Sequence, residues 1–385
     1  MTEADRIGAP TVAQDDRIYG ALELSRESWL VVLRVGVSGR LSRHRLAAGD
    51  VDGLLAVLDR AGRGRGMRAA SCYEAGPDGF WLHRRLVAAG VENVVIDATS
   101  VAVDRRSRRR KTDRLDGEAM VQALIEWLGG KKRALRVVAV PSPALEDARR
   151  TERERGRLVK ERTGHMNRMR GLLTGLGIAA GGRLAAPDWP AWLDRQRQWD
   201  GTPVPVQLAA ELGREHARLM QIDRQLAALA CAPASLPPEA AKQADALLQL
   251  KGVGRAISTG LAGEALWRGF TNRRQVGAYL GLDPSPWQSG AVAHEQGIGR
   301  AGNRRARTLM IQAAWLWLQH QPGQALSRWF HDKVGDRTGW VRRSAIVALA
   351  RKLAVLFWRI ATTGLIPDDV QLKPAAMKPA AMTAA

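Results

Sequence analysis

The sequence predicts a mixed α/β domain at its N-terminal end, followed by two predominantly helical modules, and three observations carry that prediction. Between Arg17 and Val140, short apolar runs come first in close succession and then alternate with helix-length amphipathic stretches. From Ser142 to Thr174 glycine and proline become rare and charge becomes dense, as in RRTERERGRLVKERTGHMNRMRG, the pattern of a long, largely exposed helix. Beyond Pro237 and Pro238, helical segments are separated by glycine-rich loops.

In the first domain Arg17–Leu24, Trp29–Val37 and the more basic Leu41–Leu46 read as closely spaced strands, the signature of an antiparallel meander. The pattern then alternates: helix Val51–Ala61, strand Arg68–Tyr73, helix Gly79–Ala89, strand Val94–Asp97, helix Leu115–Leu128 and a last strand Arg136–Val140. Three strands followed by helix–strand alternation give a mixed sheet covered by helices, the arrangement of a ribonuclease H-like domain. Many α/β domains share that order, so it does not decide function. Val206–Ala230 is a second long helix, expected to fold back on the first as a helical hairpin or coiled coil. Helices over 240–249, 255–264, 273–281, 303–319 and 342–361 dominate the last module. The expected boundaries are a flexible 1–16, an α/β domain 17–141, a helical middle 142–235, a mostly α C-terminal domain 236–368, and a tail 369–385. That tail repeats KPAAM and holds too few apolar groups to pack.

Charge is the unusual feature of the composition. In 385 residues, 59 Lys and Arg oppose 38 Asp and Glu, a net +21, a positive field that concentrates polyanions. Nucleic acid is the leading partner. A membrane span is excluded for the most apolar late segment, 344–360, because Arg351 and Lys352 interrupt it. The N-terminal MTEADRIGAP lacks the basic start and apolar core of a secretion signal. The two cysteines, Cys72 and Cys231, form neither a disulfide framework nor a zinc motif, so a reducing cytoplasm is expected.

Four carboxylates stand at positions where chemistry is often built. Glu23 ends the first strand, Glu74 ends a later one in SCYEAG, and Asp113 and Asp116 in KTDRLDGE share one helix face. Such a cluster needs cations to relieve its repulsion, and hard oxygen donors select Mg²⁺ or Mn²⁺, which activate an attacking oxygen and stabilise a leaving one in phosphodiester cleavage. Surface acids and a DxxD that merely favours a helix start explain the same spacing. What weighs against that reading is RRSRRRK, Arg105, Arg106, Arg108, Arg109, Arg110 and Lys111, which sets phosphate-attracting charge beside the acids.

Two glycine-rich loops mark the last module. Gly252 and Gly254 in LKGVGRAI fit a helix-hairpin-helix turn whose backbone N–H groups bind phosphate without reading bases, and equally a simple tight turn. The stretch LGLDPSPWQSGAVAHEQGIGRAGNRRAR reads as a long loop into a new helix, with Asn303 as its N-cap and Arg300, Arg304 and Arg305 as phosphate contacts. Ser289 is a nucleophile there only if metal or these cations activate it; a turn serine is the plainer account. His294 is more simply a solvent-facing loop histidine than a proton shuttle.

Taken in order, IYGALELS, YEAG, RRSRRRKTDRLDGE, KGVG, YLGLDPSPWQSG and GRAGNRRAR resemble the bridge-RNA-guided insertion-sequence recombinases, transposases with a RuvC-like acidic domain and a C-terminal serine domain. The resemblance spans roughly residues 17–365. It implies that Glu23, Glu74, Asp113 and Asp116 are catalytic, metal-binding residues holding Mg²⁺, and that Ser289 is the nucleophile. It also implies a phosphoserine link to DNA that a new DNA end reverses without ATP. The implied partners are double-stranded donor and target DNA, a structured guide RNA, and further copies of the chain in a dimer or tetramer with composite sites; no membrane is involved. Where such proteins commonly carry Asp on the first strand, this chain has Glu23, one methylene longer. Two other readings stay open: a RuvC-like junction resolvase that uses water, and a non-catalytic nucleic-acid-binding protein.

Overall fold

The fold is described from a computed structural model over residues 16–97, 113–231, 236–289 and 292–374, the side chains of 113–115 and 286–296 apart. The chain divides into two compact units at Val140/Pro141.

The first unit is built on a five-stranded sheet in the order β3-β2-β1-β4-β5. Strands β1 (Arg17–Leu24), β2 (Ser28–Val35) and β3 (Leu41–Ala47) form the antiparallel meander, and β4 (Arg68–Glu74) and β5 (Glu92–Ile96) add parallel to β1. Helix α1 (Val51–Ala61) links β3 to β4, α2 (Trp81–Ala88) links β4 to β5, and α3 (Asp113–Leu128) follows. The period-2 alternation sorts the strands between two cores. Ile18, Leu22, Trp29, Val31, Leu33 and Tyr73 join the core of α1 and α2, whereas Tyr19, Ala21, Val32, Ala70 and Cys72 join that of α3. The expected last strand, 136–140, is reduced to one antiparallel bridge between Val137 and Ile96, held by Asp97 N donating to Arg136 O and Val138 N to Val95 O.

In the second unit, α4 (Pro143–Thr174) starts on a Ser142 cap whose hydroxyl accepts from Leu145 N at 3.2 Å, with proline at the first helical position. It runs antiparallel to α6 (Val206–Cys231), because Arg162 pairs with Asp223, His165 with Glu215 and Arg168 with Glu211 in descending order. Around their far end pack Met169, Leu173, Leu212 and Trp189, the last from a short helix α5 (Trp189–Asp194).

The remaining helices are α7 (Pro238–Leu248), α8 (Arg255–Glu264), α9 (Arg273–Leu280), α10 (Arg304–His320), α11 (Ala325–Val334) and α12 (Trp340–Thr363). They surround a core that includes Leu247, Ile257, Met310, Trp317, Phe330, Leu353 and Phe357. The sequence separates 142–235 from 236–368, but the structure joins them in one unit. Leu145 of α4 packs with Ala240, Ala244 and Ala262, and Arg149 Nε donates to Gly263 O at 2.6 Å.

The tail expectation also changes for residues 369–374. Leu372 bridges Leu250, Val370 is buried, and the Lys373 ammonium donates to the carbonyls of Leu248 and Val253 at 2.5 and 2.7 Å. Sequence composition hides this, because hydrogen bonds to backbone rather than an apolar run hold the segment. Among the described residues, no helix is long and apolar enough to cross a membrane.

Candidate active site

Two parallel strands bring the first two acids together. Leu22 pairs with Tyr73 in the β1–β4 ladder, so the next residues along, Glu23 and Glu74, stand at neighbouring positions where both strands end. Alternation from Tyr19 and Ala21, and from Ala70 and Cys72, puts both carboxylates on the face that α3 covers. Asp116 lies in the first turns of that helix, and all three line one cleft of about 390 Å³, together with Arg26 and Asp78. Glu23 and Asp116 are half-buried and Glu74 is exposed.

Gly117 sets how closely α3 approaches. A Cβ at this position would lie 2.6 Å from Val32 Cγ2, well inside van der Waals contact. Glycine inside a helix costs about 0.5–1 kcal/mol relative to alanine, and here it allows the acidic turn of α3 to sit against the sheet. The glycine of LDGE is a readable sign of this approach that motif reasoning alone passes over.

Like charges at neighbouring register positions repel. The effect reaches the core: the Cys72 thiol is pushed up to about 12, first by complete burial and then by the charge of Glu74. The donor set is all carboxylate oxygen, which fits a hard divalent cation such as Mg²⁺ or Mn²⁺, and Glu23, Glu74 and Asp116 are the described residues that would hold it. Among the described residues, no three His, Cys, Asp or Glu side chains converge tightly enough to hold an ion. Asp113 begins α3 one turn before Asp116, but its side chain lies outside the described residues, as does the whole basic run 105–111.

The stretch read as a long loop after α9 is a β-hairpin instead, β6 (Pro284–Ser289) against β7 (Val292–Ile298). Proline at 284 and 286 and the glycines around it mask the strand pattern, and the irregular register between Pro284 and Pro286 accommodates the prolines. Ser289 is the last residue of β6, paired with Val292 across the hairpin end, while His294 pairs with Trp287. The side chains of Ser289 and His294 lie outside the described residues. At the hairpin base, Gly302 has φ +99°, and a Cβ there would meet Tyr279 O at 2.3 Å, so only glycine fits.

The expected phosphate contacts separate into groups. Asn303 caps α10, accepting from Ala306 N at 3.0 Å, and its amide donates to the Glu264 carboxylate at 3.2 Å. Arg305 is turned inward, donating to Glu152 O and lying 3.7 Å from Glu264. Arg300 and Arg304 are exposed. Gly252, at φ +87°, is packed against α10, where a Cβ would meet His320 Cβ at 2.9 Å; it serves the turn. Gly254 caps α8 with nothing within 4 Å of its Cβ position, which leaves the turn amides approachable.

Glu264 is a polar centre that the sequence does not advertise. It is 3% exposed, and Arg153 reaches it with two hydrogen bonds of 2.8 and 3.0 Å. Burial alone would raise its carboxyl, but the bonds and charge of Arg153, with Asn303 and Arg149, outweigh burial and hold it below the usual carboxylate range.

Comparison with known proteins gives a family. Residues 244–329 match the model described as "Transposase IS116/IS110/IS902 family". A Sinorhizobium fredii protein named "Putative transposase y4rJ" is 42% identical over 390 residues, covering 96% of this chain and 98% of its own length. The "Transposase for insertion sequence element IS1111A" of Coxiella burnetii is 28% identical, over 73% of this chain and 74% of its own. A full-length match at that identity to a transposase, with the family model falling on the module that carries the hairpin turn, β6, β7 and α10, leads to one conclusion: this chain belongs to the IS116/IS110/IS902 family of insertion-sequence transposases.

Proposed function

We propose that the protein cuts and rejoins DNA by serine attack on phosphodiesters, assisted by a divalent cation at the carboxylate cleft and directed by a structured guide RNA. The observation that carries the catalytic part is the gathering of Glu23, Glu74 and Asp116 in one cleft of a transposase-family chain. The sheet order, three antiparallel strands and then two parallel ones, supports a RuvC-like reading of the first unit. Mg²⁺ there would supply charge stabilisation for the developing phosphorane-like oxygens.

In the proposed reaction Ser289 Oγ forms a bond to phosphorus while the bond from phosphorus to the departing DNA oxygen breaks, and the serine proton passes to that oxygen. The phosphoserine keeps one phosphodiester in place of another, so a new DNA hydroxyl reverses the step without ATP. The guide RNA would choose both DNA partners by base pairing, leaving the basic surface of an oligomeric assembly to hold backbones.

Ser289→Ala is the test. The variant is expected to keep nucleic-acid binding and lose both strand transfer and the covalent protein–DNA adduct, read by denaturing electrophoresis of labelled DNA with guide RNA and Mg²⁺. Normal recombination by this variant would assign the attack to water or a DNA hydroxyl.

A further inference from the structure

Helices α10 and α12 hold eight Arg or Lys residues and not one Asp or Glu. Several of these cations are engaged: Arg305 with Glu264, Arg307 with the carbonyls of Leu280 and Arg300, and Arg351 with Asp283. Arg304, Arg342 and Arg343 are exposed, and among the described residues none of them has a carboxylate within ion-pair distance. The exposed positions of α10, Arg304, Thr308, Gln312, Trp315 and Gln319, fall on one stripe at the spacing of one helix face.

That stripe carries aromatic surface. Trp315 is 40% exposed, and the Arg342 guanidinium from the first turn of α12 lies over its ring at 5.4 Å. Two residues before Arg342, Trp340 opens α12 at 73% exposure, following Gly339 at φ +65°. A single exposed tryptophan needs no explanation. Two of them joined by an arginine, on two helices that carry no acid, combine an electrostatic track with flat π-surfaces.

We propose that this α10–α12 face binds unpaired nucleotides, with Trp315 and Trp340 stacking bases and Arg304, Arg342 and Arg343 holding phosphates. The inference rests on the nucleic-acid-processing reading above and adds where, and in what form, a strand is held. Unpaired nucleotides are the occupant because a stacking indole needs a base face that a duplex keeps covered, whereas the arginines alone would serve either form. Guide-RNA loops and the single strands exposed during strand exchange share that chemistry.

The experiment is anisotropy titration of the full-length protein with labelled oligothymidylate and with a blunt duplex of equal length, across a salt series. Trp315→Leu with Trp340→Leu should weaken single-strand binding at least about tenfold, change duplex binding less than about twofold, and leave the salt slope unaltered. Trp340→Phe, which keeps a stacking ring, should retain most of the affinity. Arg342→Gln with Arg343→Gln should weaken both ligands and lower the single-strand slope by about 0.7 for each phosphate no longer neutralised. If the double leucine variant melts early, Trp340→Leu alone provides the same reading. Equal losses on both ligands, no loss on either, or a changed oligomeric state with binding intact would each overturn the proposal. Duplex binding and cleavage by the same variants report on the proposed recombinase activity separately.

Discussion

Glu264 in the second unit is almost fully buried and met by Arg153 through two hydrogen bonds, by Asn303 and by Arg305. Glu23, Glu74 and Asp116 of the first unit stand together where two parallel strands and the start of α3 open into a cleft. Both are acidic centres in a strongly basic chain. The first is saturated by cations from α4 and α10 and ties those helices to α8. The second gathers three carboxylates, two half-buried and one exposed, along one cleft, a donor set that suits a hard cation. Burial and saturation mark Glu264 as a packing element, whereas the three acids gathered at the cleft are the ones we propose for chemistry.

The sharpest contrast is expected from neutralising one acid in each centre. Asp116→Asn should reduce Mg²⁺-dependent DNA cleavage below detection while leaving the melting temperature and nucleic-acid binding nearly unchanged, since only charge at the cleft is removed. Cleavage at the normal rate would remove this cleft from the catalytic account.

Glu264→Gln should do the reverse. Removing the charge takes from Arg149, Arg153 and Arg305 their buried carboxylate partner and should cost about 3 kcal/mol by chemical denaturation, at the low end for a buried pair because Arg153 is half-exposed. A variant as stable as the parent would mean that Glu264 does not anchor α4 and α10 to α8.

Gly117→Ala probes the link between fold and cleft. The added methyl meets Val32, so a net loss of about 1 kcal/mol is expected after the gain in helix propensity, alongside a larger proportional loss of cleavage as the acidic turn moves off the sheet. Equal activity with equal stability would show that α3 shifts without consequence.

The smallest effect is the acid dependence of the second unit. The Glu264 carboxyl is depressed on folding, so its contribution is fully present above the ordinary carboxylate pKa of about 4.3 and is lost as pH falls through the lower folded value. Stability measured between neutral pH and pH ~3 should therefore decline at the acid end, and Glu264→Gln should flatten that decline.

Local pattern is enough to place most of the secondary structure. The meander, α1, α8 and α12 follow from periodicity in the sequence, because each buries one face on a regular repeat. The carboxylates at 23, 74 and 116 are legible too, through strand ends and an i, i+3 spacing. The β6–β7 hairpin is not, since its prolines and glycines carry turn signals that cross-strand pairing overrides. Glu264 and the docked Lys373 are equally silent: their partners lie 111 and 120 positions away in sequence, at Arg153 and Val253.

The sequence alone thus accounts for the charge of the molecule, its element order and the residues eligible for chemistry, all of which depend on residue type and near-neighbour spacing. Whether two glutamates at 23 and 74 share a cleft depends on the parallel register of β1 and β4, and whether an arginine faces solvent or a buried carboxylate depends on which helix packs beside it. Those outcomes arise from long-range packing, where many short-range patterns are compatible and the burial of apolar area together with the pairing of buried charge selects among them. Arg304 and Arg305 illustrate this: adjacent in the chain and identical in chemistry, one is left on the exposed basic face of α10 while the other is drawn inward beside Glu264.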